Sequence, residues 1–262
     1  MDMFKESLKK SLRYISEEMF GKQNYNAYER PHFTVHPLNY MLKDLVEIPP
    51  MEWHSYAFAR EPLNNKFSDS QRKNWMKKSI ACGQKYARKI YEKYNTKDPV
   101  ELAKFMKMNV SYPETPDRTD RVLFAEYRAP NQICIYMDAV QKANVYLKQP
   151  EVREILTENL NIRYLLLAHE LYHNIEDTHK NEIFTQTEKI RLWKLGFIHN
   201  DSRVITLSEI AAMAFAQELS CIPYSPYVMN MFLVYCYSPE EASGIYEEMM
   251  KRANRIPVPY AV

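Results

Sequence analysis

Apolar residues recur at helical spacing along most of the chain, and the period shortens in only one stretch. Residues 3–20 place Phe4, Leu8, Leu12, Ile15 and Met19 three or four apart, which lines one face of a helix, and Gly21 follows as a stop. Residues 70–94 predict a long helix with Trp75, Ile80, Tyr86, Ile90 and Tyr91 inward. Asp98-Pro99-Val100-Glu101 reads as a helix start: the Asp side chain accepts from free backbone N–H groups, proline at the first position gives up no bond, and Glu sits in the first turn. Leu102, Phe105 and Met106 supply its buried face. Further helices are predicted at about 138–148, 150–159, 162–177, 181–195, 206–219, 224–236 and 239–253. Between them the period changes. Residues 109–112, 122–127 and 132–136 read as short strands divided by turns rich in Pro, Asp and Asn. The expected fold class is α+β: a helix-rich domain beside a small, mostly antiparallel three-stranded sheet.

The pattern also divides the chain. From about Gln23 to Lys66 it becomes irregular, punctuated by Pro31, Pro37, Pro49, Pro50 and Pro62 and anchored by Trp53 and several Tyr and Phe residues. Disordered segments are poor in aromatics, so this reads as an ordered extension. Residues 1–67 are therefore expected to form a helical and aromatic extension packed on a main domain of residues 68–262. His32, His36 and His54 fall in the extension and read as loop residues rather than a second metal site.

Composition narrows the function. The chain has 262 residues, enough for a sizeable core, and a net charge of +2, which gives no global attraction to nucleic acid or an anionic surface. The helix at 70–94 is locally basic, and a solvated face is the simpler reading than a nucleic-acid contact. Cys82, Cys134, Cys221 and Cys236 are scattered and form no C-x-x-C pair, which suits reduced thiols. The first twenty residues carry charges throughout and lack the apolar run of a signal peptide, and no stretch is apolar enough to span a membrane. The expected location is the cytoplasm, with no membrane and no direct nucleic-acid partner.

Ala168-His169-Glu170-Leu171-Tyr172-His173 is the segment that carries chemistry. It reads H-E-x-x-H and follows the aliphatic run Leu165-Leu166-Leu167. Histidines four apart lie on one helix face, one turn from each other, so both rings can reach a single Zn2+ ion. Glu170 is adjacent, where its carboxylate can take a proton from a metal-activated water. Two solvated histidines on an amphipathic helix would give the same letters, but this motif sits in an aliphatic stretch.

A catalytic zinc needs three protein ligands and an open position. Glu209 is one candidate for the third. It lies on an alanine-rich segment, residues 208–219, slim enough to approach the motif helix closely. Thr206-Leu207-Ser208-Glu209 also fits a capping box, in which Glu209 would merely satisfy its own helix start. His179 is the other candidate: its distance from His173 matches the metzincin spacing, although Glu176 stands at the bend where that pattern has glycine.

Taken together these segments resemble the ImmA/IrrE family of zinc metallopeptidases. The likeness rests on A-H-E-L-x-H at Ala168 to His173. It rests also on E-x-x-A-x-x-F-A-x-E-L-x-x-x-P, here Glu209, Ala212, Phe215, Ala216, Glu218, Leu219 and Pro223. The third feature is the upstream order of helix, Asp-Pro helix start and strands, with Pro130-Asn131-Gln132-Ile133 leading into the last strand. It spans roughly residues 75–225. The resemblance implies a zincin-type fold, His169, His173 and Glu209 as zinc ligands, Glu170 as general base, and a cytoplasmic peptidase that makes a limited cut in a protein such as a transcriptional repressor. The chain departs from the pattern at Met213, where the family usually has asparagine, in a longer stretch between Asp138 and Asn161, and in its extension, which shows no helix-turn-helix segment.

For peptide hydrolysis an electrophilic side chain is also expected near the metal, and Tyr127, Tyr172, His179 and Tyr224 are candidates. Glu176, Asp177 and Glu218 are candidates for orienting the ligand histidines. Two other functions fit the same motif. A hydrolase of a small amide or modified peptide would have a closed, aromatic-lined pocket. A regulatory module with a non-catalytic zinc would have a fourth protein ligand, from His179 or Cys221.

Overall fold

The computed structural model describes residues 34–115 and 123–256. The helix expected at 3–20, with Pro31 and His32, lies outside the described residues.

The extension folds as one helix and a series of single turns. Helix α1 (Leu38–Val46) buries Leu38, Met41, Leu42 and Leu45, the i, i+3, i+4, i+7 stripe of a half-buried helix. Its prolines then break the chain into short turns at Pro50–Trp53, His54–Ala57, Phe58–Arg60 and Asn64–Lys66. Trp53 and Phe58 point into the interior, at 1% and 0% exposure.

Helix α2 (Asp69–Tyr94) starts at Ser68, whose side chain and that of Gln71 cap each other's backbone N–H groups, and stops at Asn95 in the left-handed region, φ 53°. Helix α3 (Pro99–Phe105) begins as its sequence predicts, with Asp98 accepting from the N–H groups of Val100 and Glu101. Its buried face is Pro99, Leu102 and Ala103; Phe105 is 54% exposed and stacks on Tyr94 instead. Tyr91, expected inward on α2, is likewise exposed.

Strands β1 (Asn109–Ser111), β2 (Ala125–Arg128) and β3 (Gln132–Ile135) form a sheet in the order β1-β3-β2. β3 is central and buries Ile133 and Ile135. β2 pairs with it antiparallel, and β1 pairs with it parallel. Helices α4 (Met137–Tyr146), α5 (Pro150–Leu156) and α6 (Ile162–Thr178) follow.

The helix expected at 181–195 does not form. A single turn at Phe184–Thr187 leads into a second sheet, the antiparallel hairpin β4 (Lys189–Leu195) and β5 (Ile198–Arg203). The reason is visible in Lys189-Ile190-Arg191-Leu192, which alternates with period two, and in Gly196, which takes φ +59° at the turn. Trp193, Leu195, Phe197 and Ile198 at its outer end are exposed. Of the three strand pairings, two are antiparallel, and the fold is α+β.

Helix α7 (Thr206–Ser220) is the central element, packed against both α2 and α6; α8 (Val228–Tyr235) and α9 (Pro239–Arg252) complete the chain. Its alanines make this possible, and α2 contributes Gly83 at the crossing. A Cβ built there would lie 2.1 Å from the Ala211 carbonyl oxygen. One buried cluster includes residues from α1, the short turns, α2 and α6 to α9. Among the described residues no helix is long and apolar enough to cross a membrane, and the four cysteines are free thiols.

Candidate metal centre

Helix α6 supplies two of the three converging side chains. Asn161 caps it by accepting from the Tyr164 N–H, and the helix runs without a break through Glu176 to Thr178. His169 and His173 therefore project from one face, one turn apart, with their Nε2 atoms 3.2 Å from each other. Glu209 comes from the first turn of α7. Its Oε2 lies 3.3 Å from His169 Nε2 and its Oε1 3.6 Å from His173 Nε2. Ligand atoms about 2.0–2.1 Å from a tetrahedral ion lie about 3.3–3.4 Å from one another. The three distances fit a zinc-sized ion held by two imidazoles and one carboxylate, and this group of metal-capable side chains is brought together among the described residues.

The capping role that the sequence allowed for Glu209 is not taken up. The N-cap of α7 is Ile205, with no side-chain cap. The Thr206 N–H donates instead to Oε2 of Glu61, a buried carboxylate from the extension, at 3.0 Å. Glu209 is thereby free to face the histidines. Its crowded surroundings would raise its pKa, but the hydrogen bond to His169 and the charges of both histidines bring it to about 2.

Glu170 is 7% exposed and borders the same cleft. Burial raises its pKa, against the lowering effect of His169 and His173, and the backbone N–H of Tyr127 donates to it. A carboxylate so placed is a better proton acceptor than a solvated one.

The second nitrogen of His173 is held from behind. Its Nδ1 lies 3.3 Å from Ser208 Oγ, whose own proton goes to Glu176 Oε2 at 2.7 Å, so Nδ1 is left the donor's part. Glu176 is 6% exposed and also accepts from Thr185 Oγ1. Burial would raise the Glu176 pKa; the nearby His173 and hydrogen bonds from Thr185 and Ser208 outweigh it and lower it. Burial works against the His173 charge, yet the Glu176 carboxylate 3.9 Å from Nδ1 and the Glu209 and Glu170 charges raise its pKa to about 9.

His179 stands elsewhere. It terminates α6, its Nδ1 donates to the Ile175 carbonyl at 2.9 Å, and its ring packs edge-on against Tyr86. Cys221 ends α7 and lies 3.2 Å from Lys97 Nζ. Neither joins the cluster. His36 and His54 are apart from it and from each other, paired with Glu247 and Asp69.

The cleft over the cluster has a volume of about 780 Å3. β2 and the turn after it form one wall through Ala125 to Tyr127 and Ala129, α6 forms the floor, and Gln186 and Arg203 at the base of the hairpin close the other side. Of the four electrophile candidates, Tyr127 lines this cleft; its hydroxyl donates to the Pro130 carbonyl and accepts from Asn174. Tyr172 is fully buried beside Thr185 and Cys82, and Tyr224 donates to the Leu156 carbonyl. Asp177 lines the cleft too, while Glu218 does not. Reasoning from sequence passed over Ser208, Thr185, Glu61, Lys180 and Arg203. The last two face the cleft from a loop and a hairpin with no motif to mark them.

No family model, no curated protein and no solved structure matches the chain.

Proposed function

We propose that this chain is a zinc-dependent metallopeptidase, similar in kind to the ImmA/IrrE enzymes, that makes a limited cut in a cytoplasmic protein such as a transcriptional regulator. The observation that carries the reading is the approach of His169, His173 and Glu209 to within 3.2–3.6 Å of one another, with Glu170 beside them on an accessible cleft. His169, His173 and Glu209 would hold the ion. Bound zinc supplies Lewis acidity, which polarises a carbonyl and acidifies a water. Glu170 would accept a proton from the attacking water and deliver it to the departing amine. Ser208 and Glu176 hold the His173 ring in its ligating orientation. Tyr127 is the phenol on the cleft wall, and its hydroxyl would have to exchange the bond it donates to the Pro130 carbonyl to serve an oxyanion.

The cleft favours a peptide over a small amide. Among the described residues Tyr127 is the one Tyr, Phe or Trp in its lining, unlike the aromatic-lined pocket expected for a small amide. The absence of a fourth protein ligand among the described residues favours a catalytic over a structural ion. Nucleic acid is not the expected partner. Several basic residues of α2 are engaged within the chain: Lys73 with Asp69, Arg72 with Asn64, and Lys78 over the Phe184 ring.

The test is elemental analysis of purified wild type beside Glu209→Ala and Glu170→Gln. The expected result is near-stoichiometric zinc in wild type and in Glu170→Gln, and loss of zinc in a folded Glu209→Ala. Glu170→Gln is expected to lose peptide hydrolysis while keeping the ion. Turnover retained in that variant, or zinc retained in Glu209→Ala, overturns the assignment.

A further inference from the structure

Strand β4 does not alternate regularly. Its pairing with β5 runs Lys189 to Arg203, Ile190 to Ser202 and Arg191 to Asp201, skips Leu192, and resumes as Trp193 to Asn200, Lys194 to His199 and Leu195 to Ile198. Residues paired across an antiparallel ladder share a face, and neighbours along a strand alternate. The bulge therefore sorts the hairpin. Ile190, Trp193, Leu195 and Ile198 fall on one face; Lys189, Arg191, Lys194, His199, Asp201 and Arg203 fall on the other. Without the extra residue Trp193 would stand on the side of Arg191.

At the base of the apolar face Ile190 packs against the core. Beyond it the same face is bare: Trp193, Leu195 and Ile198 are 50%, 76% and 61% exposed, and Phe197 at the turn is 97% exposed. Apart from each other, the two strands make no extensive contact with another element among the described residues. A lone two-stranded hairpin is at best marginally stable in water, and a clustered apolar patch marks a surface that something covers.

The opposite face indicates what covers it. Arg191 is paired with Asp201, and Arg203 bonds to the uncharged Gln186. Lys189 and Lys194 have no ion pair among the described residues. Four cations against one carboxylate leave the hairpin at +3, more than the whole chain carries. A second copy of the chain would cover the apolar face but repel this charge. Nucleic acid would take the charge and leave Trp193, Leu195, Phe197 and Ile198 in water. A lipid surface takes both: the upper acyl chains receive the apolar side chains, and anionic headgroups meet lysines whose long stems reach past the ribbon's edge. Fluid lipid also closes around a projecting turn such as Phe197, which a protein partner could cover only with a matching hollow.

We propose that the outer end of this hairpin, residues 193–198, docks on an anionic lipid bilayer. Its apolar face sinks about 5–10 Å into the boundary of headgroups and acyl chains, and Lys189 and Lys194 contact lipid phosphates. The expectation of no membrane partner rested on the net charge of the whole chain and on the lack of a spanning segment; a local patch needs neither. Such docking requires no zinc and no turnover, so it stands apart from the metallopeptidase reading.

Trp193 supplies the readout, because Trp53 and Trp75, the other two tryptophans, are 1% and 5% exposed. The full chain is titrated with vesicles of phosphatidylcholine alone, or of phosphatidylcholine and phosphatidylglycerol in equal parts. Wild type is expected to bind the anionic vesicles about tenfold or more tighter than the neutral ones, with Trp193 emission shifted to the blue and shielded from acrylamide. Phe197→Ser should weaken binding to the anionic vesicles about tenfold or more. Lys189→Gln combined with Lys194→Gln should do the same while leaving binding to phosphatidylcholine unchanged. Circular dichroism verifies that the variants fold. A wild type that ignores anionic vesicles, or binds both kinds alike, overturns the docking surface. So does Trp193 emission already shielded from acrylamide without vesicles, which would mean that a second copy or another part of the chain covers the face; sedimentation velocity separates those two.

Discussion

Glu176 lies three residues beyond His173 on the same helix, and its carboxylate accepts from Ser208 and Thr185. A ligand imidazole whose other nitrogen is held by such a network binds metal better, because the ring is already oriented and more basic. Glu176→Gln is therefore expected to weaken zinc binding by about 10- to 100-fold. Chelator competition measures it, with circular dichroism to verify the fold; unchanged affinity would mean that Ser208 alone orients the ring. At this scale the sequence was informative where spacing is local. His169, Glu170 and His173 follow from the helical repeat, and Glu176 stood among the candidates for the same reason. Ser208 and Thr185 come from other elements and carry no spacing signal.

Helix α7 can carry Glu209 to the histidines because it packs closely against α6 on one side and α2 on the other. Gly83 marks the tightest point. Alanine at position 83 would improve helix propensity by about 0.5–1 kcal/mol, but its Cβ would meet the Ala211 carbonyl at 2.1 Å. Backbone cannot rotate out of the way, so overpacking of about 1–3 kcal/mol prevails. Gly83→Ala is expected to lower the urea midpoint and weaken zinc binding together, because α7 shifts. The start of α7 depends on Glu61. Glu61→Ala should cost about 1–2 kcal/mol in urea unfolding, the worth of a lost cap; an unchanged midpoint would show that the Thr206 N–H finds another acceptor. The alanine run hinted at close packing of α7, but Gly83 and Glu61 became legible only once the helices were placed. The helix predicted at 181–195 ran into the first strand of the hairpin because both faces of that strand are largely exposed. Its alternation has no buried side to make it unambiguous, and Gly196 is the local signal that survives.

At the scale of the whole molecule the described part of the extension belongs to the same core as the rest. Met41, Leu42, Leu45 and Phe58 are 0% exposed and Trp53 is 1% exposed. Each such side chain contributes about 1.5–3 kcal/mol by burial, and together they rival the about 5–15 kcal/mol that a domain has in total. A chain beginning at Ser68 is expected to show no cooperative thermal transition; a truncated chain that melts sharply and binds zinc would make residues 34–67 dispensable. By itself the sequence determined what depends on neighbours along the chain: most helix periods, the Asp98 start, the two histidines on one face and the Glu170 carboxylate beside them. Only the tertiary structure showed that Glu209, and not His179, comes within 3.6 Å of the two histidines, because both carry suitable ligand atoms and packing alone sets that distance. It also decided that Arg60, more than a hundred residues before the motif, lines a cavity that Glu209 also borders. Contacts of that separation leave no period in a single chain, since they are set by how helices and turns stack rather than by any residue's neighbours.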